Sequence, residues 1–303
     1  MKLLKKFSFV ILFLFEGHLL SAQTELNIRN SDDNSNCLKV EAFFEFPKEL
    51  QESSALIYTQ GYFWTINDGG NEPYIYALNH PFDGNSSSLE KKKDIIKFKV
   101  KLPFTNEDWE ALTYDSMYFY IGDFGNNLGT RRNLKIYKIK IEEVLKNQVM
   151  FVDTISFSYP DQVKFNKRRL HAFDCESMIQ IGDSLVLFTK NWSNLNTNIY
   201  KISKNKGTQE CRALKTLSPN FFVSDAAIHE GMIYLCGYNY LGNQFIYKSN
   251  WFKGTLKKID LKPAQIEGIC LVKNEKTSEL SMFLTTEKRK TQPAGILKIQ
   301  LNP

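Results

Sequence analysis

One phrase recurs five times along this chain, and such a repeat limits the possible folds more than composition does. It consists of three short apolar segments separated by turns. The first copy runs through Ser54 to Tyr58, Tyr62 to Asp68 and Tyr74 to Leu78. The second occupies Glu110 to Tyr114, Tyr118 to Asp123 and Leu134 to Ile139, and the third Glu176 to Ile179, Leu185 to Lys190 and Asn198 to Ile202. The fourth covers Asp225 to Ile228, Met232 to Tyr238 and Gln244 to Tyr247, and the fifth Glu267 to Leu271, Leu280 to Thr285 and Gly295 to Ile299. Counted from Ser54, Glu110, Glu176, Ala226 and Glu267, the copies begin 56, 66, 50 and 41 residues apart. A fourth strand-like segment follows each of the first four copies, at 94–100, 149–159, 211–217 and 257–261, and an unassigned one, Val40 to Phe46, precedes the first. Units of this length predict an all-β fold, a five-bladed β-propeller whose N-terminal strand completes the last blade and leaves no open sheet edge. A six-bladed propeller with one degenerate blade and a β-sandwich are the alternatives. Helical periodicity is weak except over 141–147, where a turn or a single helical turn is expected.

The beginning of the chain reads as an export signal. Lys2, Lys5 and Lys6 form a basic region, Phe7 to Phe15 an apolar run, and Leu20-Ser21-Ala22 a small-residue cleavage site before Gln23. The apolar run is about half the ~20 residues that a membrane-spanning helix needs, so no integral membrane segment is expected in the mature chain. The expected organisation is a signal peptide over 1–22, a flexible segment over 23–36 and a single propeller domain over 37–303, located in the periplasm or outside the cell. The formal charge of +6 falls to +4 when three Lys and one Glu leave with the signal, and no long basic block remains. That balance argues against nucleic acid as a partner. The Cys count is odd (Cys37, Cys175, Cys211, Cys236 and Cys270), and no CxxC spacing occurs. Free thiols buried in strands are therefore expected rather than zinc, with a single disulfide bridge of unassigned pairing as the alternative.

In a propeller the first strand of each blade lines the central channel. Its start shares one mouth with the loops joining the second and third strands. The strand starts bring Ser54, Glu110, Glu176, Asp225 beside Ala226, and Glu267 toward a common axis. The loops add Asn67, Asp68, Asn127, Arg131, Lys190, Asn191 and Arg289 as candidate ligand-binding residues. Carboxylates that converge on an axis repel one another, and a hard cation offsets this. Ca²⁺ accepts about six to eight oxygens, which a ring of Glu and Ser can supply. Zinc is disfavoured because His80, His171 and His229 lie outside the strand starts. Capping of neighbouring backbone amides is the alternative role for these Glu residues.

The order of the strand starts, Ser53-Ser54-Ala55-Leu56, Trp109-Glu110-Ala111, Cys175-Glu176-Ser177 and Ile266-Glu267-Gly268-Ile269, resembles the soluble calcium-activated nucleotidases, or apyrases. That resemblance implies five blades around an axial Ca²⁺ held by a Ser, Glu, Glu, Ser, Glu ring. In the fourth repeat Ala226 stands where the second Ser is expected, so a backbone carbonyl, a water or the adjacent Asp225 is the expected replacement ligand. The phrases Asn106 to Glu110 and Ile121 to Asn127 are also similar to those of secreted propellers from Bacteroidetes-type bacteria, which implies fold and export but no activity.

The expected function is a calcium-binding propeller that takes a small-molecule or polymeric extracytoplasmic ligand at the channel mouth. The alternative is a Ca²⁺-dependent hydrolase of nucleoside phosphates or another phosphoester. For a hydrolase, Asp123 is the candidate base and Asn126 the residue that orients water, while Asp-Phe-Gly-Asn-Asn reads equally as a turn. Arg131, Arg132, Lys190, Lys288 and Arg289 are the cations available to a phosphorylated ligand. The chain has no Gly-rich phosphate loop and no Gly-x-Ser-x-Gly elbow. Glycosylation sequons occur at Asn85 and Asn191.

Overall fold

Residues 37–82, 92–251, 253–261, 264–274, 277–290 and 292–301 are described by a computed structural model. The expected signal peptide, the segment over 23–36 and the sequon at Asn85 lie outside the described residues. The fold is all-β. After β1 (Cys37–Glu45) comes an antiparallel sheet of β2 (Ile57–Thr59), β3 (Tyr62–Ile66), β4 (Tyr74–Leu78) and β5 (Ile96–Lys101). A second sheet holds β6 (Trp109–Tyr114), β7 (Tyr118–Asp123), β8 (Lys135–Lys140) and β9 (Val152–Ser158), with the single-turn helix α1 (Ile141–Leu145) between the last two. The third contains β10 (Asp174–Ile181), β11 (Ser184–Lys190), β12 (Thr197–Ser203) and, beyond β13 (Gly207–Glu210), β14 (Ala213–Leu217). Strand β13 pairs parallel to β9 of the second sheet. Its Gly-Thr-Gln-Glu sequence has no apolar alternation, so nothing local marks it as a strand.

The fourth set is β15 (Phe222–His229), β16 (Met232–Tyr238), β17 (Gln244–Ser249) and β18 (Gly254–Asp260), and the last is β19 (Ile266–Lys273), β20 (Leu280–Thr286) and β21 (Gly295–Gln300). Strand β1 lies antiparallel to β21, from Val40↔Ile299 to Glu45↔Gly295. Its first residues, Cys37 to Lys39, also run parallel to β18, which joins these two sets into one hydrogen-bonded sheet.

Alternation along the second strand of each set explains the packing. On β7, Phe119 and Ile121 enter a cluster with Trp64 and Ile66 of the first sheet, whereas Tyr120 enters one with Leu185 and Leu187 of the third. On β11, Val186 and Phe188 meet Ile233 and Leu235 of β16, whose Tyr234 and Cys236 turn the other way onto Met282 and Leu284. On β20, Phe283 returns to Phe63 of β3, at a ring separation of 4.8 Å. These strands are buried on both faces, so they read in sequence as unbroken apolar runs. First strands also touch in succession: β6 and β10, β10 and β15, β15 and β19, β19 and β2, with β3 against β6. The arrangement is propeller-like. No helix among the described residues is long and apolar enough to cross a membrane. The cysteines are free thiols, all buried except the half-buried Cys37.

One irregularity recurs near the start of the first strands. The pairing slips by one residue between Trp109 and Ala111, between Cys175 and Ser177, between Val223 and Asp225, and between Ile266 and Gly268. The residues squeezed out are Glu110, Glu176, Ser224 and Glu267. In the first sheet the same one-residue excess lies between the Ser53↔Asn67 bridge and the Ile57↔Trp64 pair, a span that contains Ser54. A bulge frees a residue from the ladder and re-aims its side chain, which is why bulges gather at functional sites.

Candidate functional site

A cavity of about 260 Å³ opens where these bulges meet the loops that follow the second strands. The strand starts contribute Ser54, Glu110, Glu176 and Glu267, together with Glu52, Ser53 and Gln265 just before their strands. The loops contribute Asp68, Asn127, Trp192, Glu287 and Arg289, the ends of β11 and β16 give Lys190 and Tyr238, and Arg169 reaches in from the segment before β10.

Local bonds fix the acidic side of this cavity. The Asn106 side-chain amide donates to the carbonyls of Asn67 (3.0 Å) and Asp68 (2.8 Å), and its Oδ1 accepts the Trp109 amide at 3.1 Å. One side chain thus clamps the β3–β4 loop to the start of β6. The Asp108 carbonyl accepts the amides of Phe124 and Gly125, both at 3.1 Å, which draws in the β7–β8 loop. As a result Asp68, Asp108 and Glu110 each present an oxygen within 4.8 Å of the others. Two glycines allow this approach: a methyl group on Gly69 would lie 2.6 Å from Asp108 Oδ1, and one on Gly125 would lie 2.6 Å from Glu110 Oε1. Burial, reinforced by Asp68, Glu176 and Asp108, pushes Glu110 well above the carboxylate range. Burial followed by Asp68 and Asp174 pushes Asp108 up to about 7.

The opposite side is built on Lys190. Its Nζ lies 2.7 Å from Glu176 Oε2, with the two side chains 5% and 3% exposed. Burial opposes the charge on this ammonium, but Glu176, Tyr238, Glu267 and Asp174 outweigh it and hold its pKa well above the usual value. The Trp192 ring lies 5.2 Å and the Tyr238 ring 5.6 Å from Nζ. Asp174 holds this wall in place, accepting the Trp192 indole N–H at 2.7 Å and the Asn126 amide at 2.6 Å.

The axial Ca²⁺ implied by the nucleotidase resemblance does not fit this arrangement. A dication at the centre of the Glu110, Glu176 and Glu267 carboxylates would face the Lys190 ammonium, which already neutralises Glu176. Asp225 is also no part of such a ring. Its Oδ1 accepts the Ala226 amide (2.8 Å) and the Ser177 hydroxyl (3.3 Å), and its Oδ2 accepts the Ile269 amide (2.8 Å). The bulge pattern instead makes Ser224 the fourth-repeat counterpart of Ser54. The two serines behave alike: Ser54 donates to the Trp109 carbonyl at 3.1 Å and Ser224 to the Ile266 carbonyl, each just before the bulged Glu of the next first strand.

Several other expected site residues serve the framework. Asp123 is fully buried, with Arg131 Nη2 at 2.8 Å from its Oδ1, and Arg131 also donates to the Gly125 carbonyl at 2.9 Å. Asn126 is bound through its amide to Asp174, through Nδ2 to the Phe173 carbonyl and through Oδ1 to the Arg131 amide. This pair does not line the cavity, and Asp123, whose Oδ2 has no hydrogen-bond partner, is fully buried away from it. Asn67 donates to the Glu49 carbonyl at 2.7 Å, and Asn191 closes its own loop through Ser193 and Asn196. Asp68, Asn127, Lys190 and Arg289 do reach the cavity. Sequence reasoning missed Asp108, Asp174, Arg169, Glu52 and Gln265. Asp108 had a readable signal, an acid two residues before Glu110 and so on the same side of an extended chain. Arg169 had none.

No known family model matches the chain, and no curated protein does. Among solved structures it is similar to a chain in "Crystal Structure of Mitotic Checkpoint Complex", at 9% identity and a TM-score of 0.37, over 82% of this chain and 61% of that one. It is also similar to "Tail fiber of Staphylococcus aureus phage P68", at 10% identity and a TM-score of 0.45, over 89% of this chain and 54% of the fibre chain. The chain therefore spans less than two thirds of either, and at TM-scores below 0.5 neither likeness extends to a function.

Proposed function

We propose that this chain is an exported five-bladed β-propeller, closed by β1 as the fourth strand of the last blade, that holds a small polar ligand at the mouth of its channel. The circuit of first strands, the five inter-sheet clusters and the pairing of β1 with β21 support the architecture. One observation carries the binding. Glu176 Oε1 is buried without a hydrogen-bond partner in the same cavity as Glu110, which is 6% exposed and has no partner among the described residues. An unpaired buried acceptor costs about 1–3 kcal/mol, and a ligand whose hydroxyl or amine groups donate to it recovers that cost. Trp192 and Tyr238 give such a ligand an apolar wall against which to orient.

The test is calorimetry and thermal shift on the purified protein with a panel of monosaccharides, amino acids and nucleotides. A polyhydroxyl or amine compound is expected to bind wild type and to lose at least ten-fold in affinity in Glu110→Gln and Tyr238→Ala. Silence across the panel, or binding undiminished in both variants, ends this reading. A mature N-terminus at Gln23, read by mass spectrometry, tests export.

Phosphoester hydrolysis is the second reading, favoured by Glu267. Burial, offset in part by Lys190 and reinforced by Glu287, brings its carboxyl to about 7, where it can exchange a proton at neutral pH, and Arg289 lines the same cavity. Phosphate released from nucleotides with Ca²⁺ by wild type, and not by Glu267→Gln, would replace binding with catalysis.

A further inference from the structure

We propose that the protein has a divalent-cation site off the channel axis, formed by Asp68, Asp108 and Glu110 at the junction of the first two sheets, and that its ion is Ca²⁺. It shares Glu110 with the ligand reading above, but a Ca²⁺ titration without any organic compound succeeds or fails separately from that reading. Oxygens on opposite sides of a bound Ca²⁺ lie about 5 Å apart, since each bond is about 2.3–2.6 Å. The three carboxyl groups present oxygens within 4.8 Å of one another, which is the spacing a single ion requires. The donors are all hard oxygens, and a loop-borne Asp68 beside bulge-borne Glu110 forms the irregular, adjustable set that Ca²⁺ accepts more readily than the strictly octahedral Mg²⁺.

Two further observations point to a bound ion rather than to a chance acidic cluster. Glu110 is 6% exposed and has neither a hydrogen bond nor an ion pair among the described residues. Glu176, whose electrostatic influence falls on Glu110, has its Oε1 buried and unpartnered in the same cavity. The cations nearby have closer partners than this cluster. Lys190 is paired with Glu176, and Arg131 lies at 2.8 Å from Asp123 but 3.9 Å from Asp108.

The test titrates CaCl₂ into the purified full chain by calorimetry, with Tb³⁺ luminescence sensitised by Trp109 as a second readout. One Ca²⁺ per chain is expected, together with Ca²⁺ displacement of the Tb³⁺ signal and a rise in melting temperature. Asp108→Asn and Glu110→Gln should each weaken Ca²⁺ at least ten-fold, whereas Glu267→Gln should change it less than three-fold. Asp68→Asn, at a half-buried position, is the variant to read if the others melt before titration. Absence of heat and of any melting shift in wild type overturns the site. So does a loss in Glu267→Gln equal to that in Glu110→Gln with Asp108→Asn unaffected, which would put the ion back on the axis.

Discussion

The two ends of the channel are lined by the same first strands, yet they differ in chemistry. At the far end a cavity of about 620 Å³, more than twice the volume at the mouth, is walled by residues such as Ile57, Leu112, Ile179, Ala226 and Leu271. Several of its polar groups are paired with one another. The Tyr114 hydroxyl donates to the Tyr58 carbonyl at 3.0 Å, and Asp115 pairs with Lys204 at 2.9 Å while accepting the Tyr120 hydroxyl at 2.8 Å. The mouth is smaller and contains carboxyl groups without partners. Volume is therefore a poor guide to function in this molecule. Unpaired buried acceptors mark the mouth, and a settled network marks the far end as framework.

Between the ends lies Asp225, and removing it should have the largest effect. Its carboxylate accepts two backbone amides and a hydroxyl from three of the first strands, so Asp225→Ala leaves buried donors unpaired and should cost about 4 kcal/mol. Urea unfolding measures this. A cost below about 1 kcal/mol would show that the two ends are not held together through that residue.

At the mouth, Lys190→Met strands Glu176 as an uncompensated buried charge and should cost about 3 kcal/mol. Adding Glu176→Gln should recover most of it. Failure of the double variant to recover would mean that Lys190 acts through packing against Trp192 and Tyr238.

Acidity separates the ends by sign. Glu267 ionises near 7 when folded, so between its unfolded value, about 4.3, and 7 the folded state binds the extra proton. Its contribution falls as pH rises through that window. Besides burial, the groups acting on it are Lys190, Glu287, the Gln265 side-chain amide and Asp68. Asp115 behaves oppositely. Burial raises its pKa, but Lys204, the amides of Met117 and Tyr118 and the Tyr120 hydroxyl outweigh this and bring it to about 2. Its stabilisation is present above about 3.9 and is lost as pH falls toward 2. Melting curves should therefore show a slope between about pH 4.3 and 7, to which Asp108 also contributes, that Glu267→Gln makes shallower and Asp115→Asn leaves in place. Asp115→Asn carries the smallest effect, about 1 kcal/mol and reduced by salt, because that ion pair is partly solvated.

Much of the mouth was legible before any coordinates. Ser54, Glu110, Glu176 and Glu267 stand at repeat starts, and the cavity gathers all four. The fourth repeat was misread by two residues, because Ser224 is followed by Asp225, an acid that imitates the pattern, and nothing local reveals which residue the ladder expels. Asp123 and Asn126 looked free in sequence, since their partners Arg131 and Asp174 come from a loop and from the next sheet. Strand β13 escaped notice because it is polar and largely exposed, and only its pairing with β9 makes it a strand.

The sequence by itself determined that the chain is built from β repeats and which residues begin them, because burial on both faces demands apolar runs at fixed spacing. Tertiary structure decided which of those residues carry unpaired charge. That depends on bulges that shift the register by one residue, and on Lys190, which reaches Glu176 and settles the balance of charge on the axis. Both are contacts between segments distant in sequence, and local propensity contains no information about them.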